Sequence, residues 1–481
     1  FSLVLIGFLF LILKNILIKN NSVIDVFVHG DAIEYYSIWA KDYYFGTIPK
    51  TSFLRPQIWS ANISLVYIFL NNSDLEMFAK IIFNLIPIIM FIALIGFTLK
   101  NNNSVLFFTG LIGIIFSLNL TFGQATSGYM EIPLGLTFFI FFSFLKDLFY
   151  NKHSVKHEIF IITSITSLTL LTKELGFLIS LPYLFYFYFT RKNINTKKKF
   201  VISTIFISFI VLPFYVFQVI EYDIFNNNKL FKLIFFNKEF HESVGHNEDF
   251  INFKTRILYA LNYLPFYILI PFLILTFTNL KNSFYILLKL FTGIYIISWI
   301  LIFSNEIRYL FPLIFILSIF GYEPLIYNLK NNKFSFLNIK NLMILCTIVF
   351  LFLTYKSPDK NTLVEKNINK KINKYEEMYN FDYEMYKYIQ EVFNVEANKS
   401  KKLVTNFQLI RLASFSTDTK LISNTSFTNI VSSEDFEKKK LYKFDFIVLH
   451  KNCNIFKPYK IKFKLNLLKE TAKGSCFFKI L

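Results

Sequence analysis

Two carboxylates stand directly after the first hydrophobic stretch of this sequence, within VHGDAIEYY (residues 28–36). Asp31 and Glu34 are three positions apart, so on a helix they would share one face. The segment continues through Trp39 as a half-apolar helix suited to the interface between lipid and water. A carboxylate at that depth could accept a proton beside a lipid-borne substrate. We therefore predict Asp31 and Glu34 as catalytic candidates; the alternative is that both are solvated loop residues.

Three basic residues and a further acid lie in later segments with aromatic neighbours. These are Arg55 in FLRPQIW, Glu131 in ATSGYMEIPLG, Lys173 in LLTKELG and Arg308 in SNEIRYLFPL. A guanidinium or ammonium group near the headgroup layer could hold a phosphate. Each residue also has an ordinary explanation. Arg55 could anchor the chain at the membrane interface, and Arg308 could extend its charged group to the membrane surface. Glu131 could interact with the helix dipole, and Lys173 could pair with Glu174. Because all five segments fall on one side of the predicted membrane, we expect one cavity for an anionic amphiphile.

The elements that must position these residues are membrane-spanning helices. Hydrophobic residues make up 54% of the 481, and long apolar runs recur through residue 354. About 20 apolar residues suffice to cross a hydrocarbon layer as a helix. We predict about eleven spans, at 2–19, 77–98, 104–120, 131–149, 158–172, 175–190, 200–220, 256–279, 284–303, 309–327 and 341–355. A hairpin turning at Lys173–Gly176 separates two of them, since Lys173 and Glu174 would be costly at mid-bilayer.

Loop charges predict the orientation. Short loops rich in Lys and Arg mark the cytoplasmic side, and they fall at 100–103, 151–157, 191–199 and 330–340. All acidic or mixed-charge loops then lie outside the cell membrane. The first apolar run is not followed by a small-residue cleavage site, so we expect an anchor and not a removed signal peptide.

The tail from Lys356 is polar and predicts a separate extracytoplasmic α/β domain. An amphipathic helix is expected at 375–393, and strands at 402–406, 419–423 and 444–450. We thus divide the chain into a transmembrane domain, residues 1–355, and a tail domain, residues 356–481. Cys453 and Cys476 could pair if the tail is extracytoplasmic.

The formal net charge of +19 raises the alternative of nucleic-acid binding. The abundance of Phe, Tyr, Ile, Asn and Lys indicates a compositional bias, and basic loops are ordinary in membrane proteins. We therefore expect membrane lipids and no nucleic acid as partners.

The spans and their loops resemble the C superfamily of glycosyltransferases, polytopic enzymes that use polyprenyl-phosphate sugars. The similarity is to the branch containing protein O-mannosyltransferases and lipid A aminoarabinose transferases. It rests on GDAIEY, LRPQIW, SGYMEIPLG, LTKELG and RYLFP, which occur in the expected order and on the expected side. The tail lacks the WWDYG signature of oligosaccharyltransferases, which weighs against transfer of a whole oligosaccharide to protein.

The resemblance implies transfer of a sugar from a polyprenyl-phosphate donor to a hydroxyl of a glycan, lipid or protein, with inversion. Asp31 takes the place of the first-loop base, with Tyr35 beside it at the substrate. Ala32 stands where many members have a second acid, so Glu34 is a candidate to replace it.

The other site residues also have counterparts in the superfamily. Arg55 matches a residue proposed to contact the lipid phosphate, and Lys173 and Arg308 match basic positions. Glu131 matches an external-loop acid. Some members use a divalent metal, which Asp31 and Glu131 could hold here.

Two other functions remain open from the residues alone. A flippase for a lipid-linked glycan would need polar groups near mid-membrane, often in two related halves. A polysaccharide polymerase or ligase would share the lipid-linked donor and the same external cavity.

Overall fold

The computed structural model is mostly helical, with a small sheet near its C-terminus. It describes residues 27, 32–49, 56–71, 73, 76–100, 130–150, 154–190, 194–222, 257, 266–277, 282–301, 307–324, 382–406, 421, 424–428 and 430–481. These residues form two compact units. The helical unit contains 56–59 and 82–324, and the mixed unit contains 27–49, 60–81 and 382–481. The division at residue 355 that the sequence predicts remains a prediction.

Helices account for most of the residues before 324. A π-helical turn at Ala32–Ser37 leads into α1 (Ile38–Tyr44). The later α-helices are α2 (Ile58–Leu70), α3 (Glu76–Lys100), α4 (Glu131–Tyr150), α5 (Val155–Leu170), α6 (Ser180–Thr190), α7 (Ile194–Tyr222), α8 (Phe266–Phe277), α9 (Ser283–Leu301) and α10 (Phe311–Ile316). Short 3₁₀ turns precede α6 at Glu174–Ile179 and α10 at Ile307–Leu310, and a π-helical turn follows α10 at Leu317–Gly321.

Three helices in the described part of the chain are long and apolar enough to cross a membrane. Their apolar segments are Glu131–Tyr150, Thr196–Phe217 and Ser283–Ile300. The predicted spans at 2–19, 104–120 and 341–355 lie outside the described residues, so the total of eleven stays a prediction. The predicted hairpin is present, since α5 ends at Leu170 and the next helical turn begins at Glu174.

The described part of the predicted span at 309–327 is helical from its first residue to Gly321, and the span itself stays a prediction. The chain there changes from a 3₁₀ turn to α10 and then to a π-helical turn that ends at Gly321. Pro312 cannot donate a backbone hydrogen bond, so it is tolerated only at the first turn of α10.

Aromatic side chains build the core of the helical unit. α4 packs along α10 and against α5, while α5 packs against α7. Phe139 of α4 meets Phe315 edge to face, with ring centroids 4.8 Å apart, a favourable geometry for aromatic pairs. Phe142 packs against Phe291 of α9 at 4.9 Å. Burial of large rings along α4 thus fixes the helix whose first residue is Glu131.

The sheet of the mixed unit has the order β2-β1-β3-β5-β4. Its strands are β1 (Leu403–Thr405), β2 (Thr425–Phe427), β3 (Phe446–Leu449), β4 (Leu465–Glu470) and β5 (Cys476–Ile480). β1 runs parallel to β2 and β3, whereas β5 runs antiparallel to β3 and β4. Helix α11 (Tyr383–Asn394) packs on it through Phe393, whose ring lies 5.6 Å from that of Phe446. A short helix, α12 (Asp435–Lys438), precedes β3.

The predictions for the tail are partly correct. The segments 402–406 and 444–450 contain β1 and β3, and the described part of 375–393 lies in α11. The strand predicted at 419–423 is wrong, because Leu421 is helical and β2 begins only at Thr425. Cys453 and Cys476 are joined by a disulfide with their Cα atoms 5.3 Å apart.

Candidate functional site

Lys173 occupies the turn between α5 and the 3₁₀ helix that leads to α6. Its backbone is extended, and its carbonyl oxygen accepts a hydrogen bond from the Gly176 amide at 2.8 Å. A Cβ on Gly176 would lie 2.0 Å from the Thr169 carbonyl oxygen. Only glycine fits this close approach of two backbones. The turn is therefore fixed in shape, and it holds Lys173 at one place in the helical unit.

Glu131 lies opposite Lys173, at the first residue of α4. Its Oε1 accepts a hydrogen bond from the Lys173 ammonium at 2.7 Å, and each side chain is only 3% exposed. An acid in the first turn also complements the positive end of the helix dipole. Removing one partner from a buried ion pair leaves an uncompensated charge and typically costs about 3–5 kcal/mol. The pair therefore joins two sequence-predicted residues that are 42 positions apart.

The turn before α10 contributes an aromatic face to this pair. The Lys173 ammonium lies 4.5 Å from the centroid of the Tyr309 ring, within the range of a cation–π interaction. The backbone oxygen of Tyr309 accepts a hydrogen bond from the Tyr295 hydroxyl of α9 at 2.7 Å. Tyr309 directly follows Arg308, whose side chain lies outside the described residues. The structure thus brings the backbone of the Arg308 segment to Lys173.

The segment after Arg55 reaches the same turn. Trp59, in the first turn of α2, donates a hydrogen bond from its ring nitrogen to the Thr172 hydroxyl at 3.2 Å. Its ring also packs against Phe83 of α3, with centroids 6.3 Å apart. Pro56 and Gln57 are buried. Described members of LRPQIW, SGYMEIPLG, LTKELG and RYLFP are therefore in contact around one turn.

Four of the predicted site residues lie in or directly before short irregular turns. Glu34 and Tyr35 fall in a π-helical turn, Lys173 precedes a 3₁₀ turn, and Arg308 lies in another 3₁₀ turn. Such short irregular turns are often found at functional sites, because they re-aim side chains that a regular helix would place elsewhere. Helical periodicity in the sequence gives no signal for them.

The first-loop helix is fixed inside the mixed unit. Lys41 of α1 pairs with Glu76, the first residue of α3, at 3.3 Å, and both side chains are almost fully buried. No motif in the sequence predicts this pair. A lysine on the half-apolar helix and an acid 35 positions later carry no spacing rule that would connect them.

The remaining predicted residues are only partly tested. Asp31 and Arg55 lie outside the described residues, as do the side chains of Glu34, Tyr35 and Arg308. Their convergence with Glu131 and Lys173 therefore stays a prediction. Of the ordinary explanations, the helix dipole does apply to Glu131, but it acts together with the pairing to Lys173. Tyr309, Thr172 and Tyr295 were missed as contributors, although the first two lie inside motifs already quoted.

At this site a buried ammonium is neutralised by the carboxylate that pairs with it. Glu131 holds Lys173 in place and offsets the cost of burying its charge. The paired carboxylate is an imperfect metal ligand in this arrangement, since its Oε1 is engaged by an ammonium. The described residues thus fit a cation-centred site better than a metal centre.

Comparison with known proteins defines the fold. No family model matches the sequence, and no curated protein matches it. Among solved structures, the chain shares the architecture of a polytopic helical membrane protein with a small C-terminal sheet.

That architecture is found in two crystal structures of ArnT from Cupriavidus metallidurans. The structure bound to undecaprenyl phosphate superposes with a TM-score of 0.57 at 10% identity, covering 99% of this chain and 98% of the other. The apo structure gives a TM-score of 0.53 at 11% identity, covering 95% of each chain. At this identity the likeness establishes the fold.

Proposed function

We propose that this protein is an integral-membrane glycosyltransferase. It transfers a sugar from a polyprenyl-phosphate donor to an acceptor hydroxyl on a glycan, lipid or protein, at the extracytoplasmic face and with inversion. The observation that carries the proposal is the buried ion pair of Lys173 and Glu131, around which four of the five quoted segments meet. The ArnT fold, in a structure bound to undecaprenyl phosphate, supports the same class of donor.

Lys173 would stabilise the departing phosphate. As the bond between the anomeric carbon and the phosphate oxygen breaks, negative charge develops on the lipid phosphate, and a fixed ammonium in a site shielded from water stabilises it. Arg55 and Arg308 would supply further cations from the same rim. The isoprenoid chain stays in lipid throughout.

Asp31 would act as the base. It accepts the proton of the acceptor hydroxyl while the hydroxyl oxygen attacks the anomeric carbon from the face opposite the phosphate. One displacement of this kind inverts the configuration at that carbon. Glu34 and Tyr35, in the π-helical turn that follows Asp31, would bind and orient the sugar or the acceptor. A single carboxylate suffices, because phosphate leaves without protonation, unlike the paired acids of glycosidases.

A flippase would need a polar path through the helices, and the described part of α4 offers none. From Ile132 to Leu145 the helix carries only Thr137 and Ser143 as polar residues, and the Thr137 hydroxyl donates to the Leu134 carbonyl oxygen. The neighbouring helix α5 buries Thr163, Thr166, Ser167 and Thr169, so a flippase stays the alternative function. A polymerase or ligase with the same donor remains compatible with the site.

The test is transfer by the purified full-length protein. Incubation with a panel of polyprenyl-phosphate sugars should release polyprenyl phosphate from at least one donor, and Asp31→Asn should abolish release while the protein still inserts and folds. Asp42→Asn, at a half-buried acid of α1, is the matched control and should retain release. Release unchanged in Asp31→Asn would remove Asp31 from the mechanism, and failure of the wild-type protein with every donor would contradict the proposed class.

A further inference from the structure

A cleft lies between α6 and α7, well away from Lys173 along α6. It has a volume of about 420 Å³ and is walled mainly by apolar side chains, with a lysine and a threonine at one end: Leu184, Phe187, Tyr188, Thr196, Lys197, Phe200 and Val201. This volume is within the usual range for small-molecule sites. Leu184, Tyr188 and Val201 are each about half exposed, at 49%, 54% and 53%. The cleft is therefore an open groove and not a sealed core cavity.

The groove faces the hydrocarbon region of the membrane. Only 17% of the apolar segment of α7 is buried within the protein, although that segment is the most hydrophobic of the three candidate spans. Phe209 and Ile205 on this helix are 77% and 61% exposed. Apolar surface of that extent needs a lipid environment. Acyl chains are thus the natural occupants of the apolar part of the groove.

The polar end of the groove is positively charged. Lys197 lines it and Lys198 is the next residue of α7, and both are exposed. Within the described residues, neither lysine has an acidic partner. Glu158, on the neighbouring helix α5, is already engaged, because it accepts hydrogen bonds from Lys199 and from the Tyr186 hydroxyl. The N-terminus of α7 adds the positive end of its helix dipole.

We infer that this groove binds an anionic membrane phospholipid, with an acyl chain along Phe200 and Val201 and its phosphate at Lys197. The ligand must be both apolar along most of its length and negatively charged at one end, and a phospholipid headgroup at the membrane surface meets both conditions. Lys197 lies on the side that the loop charges predict to be cytoplasmic, where basic pockets between helices bind anionic headgroups. This site is independent of the proposed glycosyl transfer, since it lies at the other end of α6.

Native mass spectrometry of the full-length protein released from nanodiscs tests the inference. The nanodiscs contain equal amounts of phosphatidylglycerol and phosphatidylcholine. Wild-type protein should retain phosphatidylglycerol preferentially, and Lys197→Ala should lower that retention about fivefold, the effect of losing one cation at a membrane surface. Lys198→Ala is the matched control, with the same charge change at the adjacent position outside the groove lining, and should retain the lipid.

A second variant tests the apolar part of the groove without changing its charge. Val201→Trp fills the apolar part and keeps Lys197, so it should also lower phosphatidylglycerol retention. Equal losses in Lys197→Ala and Lys198→Ala, or unchanged retention in Lys197→Ala and Val201→Trp, would overturn the inference. The same comparison is made with undecaprenyl phosphate added to the nanodiscs. If Lys197→Ala loses undecaprenyl phosphate but keeps phosphatidylglycerol, the groove belongs to the donor lipid and the inference is overturned.

Discussion

At the scale of single residues, the account depends on the buried pair of Lys173 and Glu131. Both were candidates from sequence, because each belongs to a short segment with charged and aromatic residues at the end of a span. Their partnership could not be predicted, since no spacing rule relates positions on two separate helices. The sequence left pairing with Glu174 and binding of a phosphate both open for Lys173, and in the structure its ammonium lies 2.7 Å from a carboxylate oxygen of Glu131.

Single and double substitutions of this pair separate stability from function. Lys173→Met leaves the Glu131 carboxylate buried without its ammonium, and we expect it to lower the free energy of unfolding by about 3–5 kcal/mol. The double variant Lys173→Met, Glu131→Leu removes both charges and should recover most of that stability. Thermal unfolding in detergent measures both.

The same variants should behave differently in the transfer assay. The double variant should remain at least about 100-fold slower than wild type, as expected for loss of a group that stabilises developing negative charge. A double variant that is stable and fully active would show that the pair is structural only.

At the scale of elements, the hairpin at Lys173 is the part that the sequence predicted best. A stretch of 33 residues (158–190) is too long for one crossing, and its only charges, apart from the starting acid, fall where α5 ends. The 3₁₀ and π-helical turns could not be predicted in the same way. They depend on local packing, and the residues within them are compatible with ordinary α-helix.

Gly176 gives a direct test of the hairpin. Gly176→Ala would place a Cβ against the Thr169 carbonyl oxygen, at 2.0 Å before relaxation, so the turn must open and move Lys173 away from Glu131. We expect a lower midpoint of thermal unfolding and a loss of transfer. Gly96→Ala in α3 is the matched control, because no atom lies within 4 Å of its added Cβ and alanine favours helix. Equal effects of the two substitutions would contradict the close approach at Gly176.

The start of α11 gives a pH-dependent prediction in the mixed unit. Burial alone would raise the pKa of Asp382, but hydrogen bonds from Ser475, Thr471 and the Met385 amide outweigh it and hold this pKa below its ordinary value. A carboxyl with a depressed pKa stabilises the fold above its unfolded-state pKa of about 3.8, and this stabilisation is lost as the pH falls through the folded-state value.

Asp382→Ala tests the role of this side chain as the N-terminal cap of α11, where it accepts the hydrogen bond of the Met385 amide. At pH 7 it should lower the stability of α11 by about 1–2 kcal/mol, since a helix-capping side chain is lost. The difference in the stability of α11 between the variant and the wild type should shrink when the pH falls below the folded-state pKa of Asp382. Hydrogen exchange of Tyr383–Asn394, corrected for the intrinsic pH dependence of exchange, measures this. A difference that stays constant across that range would contradict a charged Asp382 as the cap.

At the scale of the whole molecule, composition and hydrophobic runs predicted the helical membrane architecture and the mixed tail. The amphipathic pattern of α11 was readable because one face is buried on the sheet. β4 and β5 were missed, although β4 alternates buried and exposed residues, because its lysine-rich surroundings matched the compositional bias of the chain. Likewise, the convergence of Trp59, α4, the turn before α10 and the Lys173 turn is a property of tertiary packing and has no signature in any single segment.

The central claim is that the cation at the Lys173 turn recognises the phosphate of a polyprenyl lipid. Binding of undecaprenyl phosphate and of undecaprenol, which has the same chain without the phosphate, should be compared on the purified protein in nanodiscs. The account predicts clear preference for the phosphate form in wild type and loss of that preference in the stable double variant Lys173→Met, Glu131→Leu. Equal binding of the two lipids by wild type, or an undiminished preference in the double variant, would contradict it.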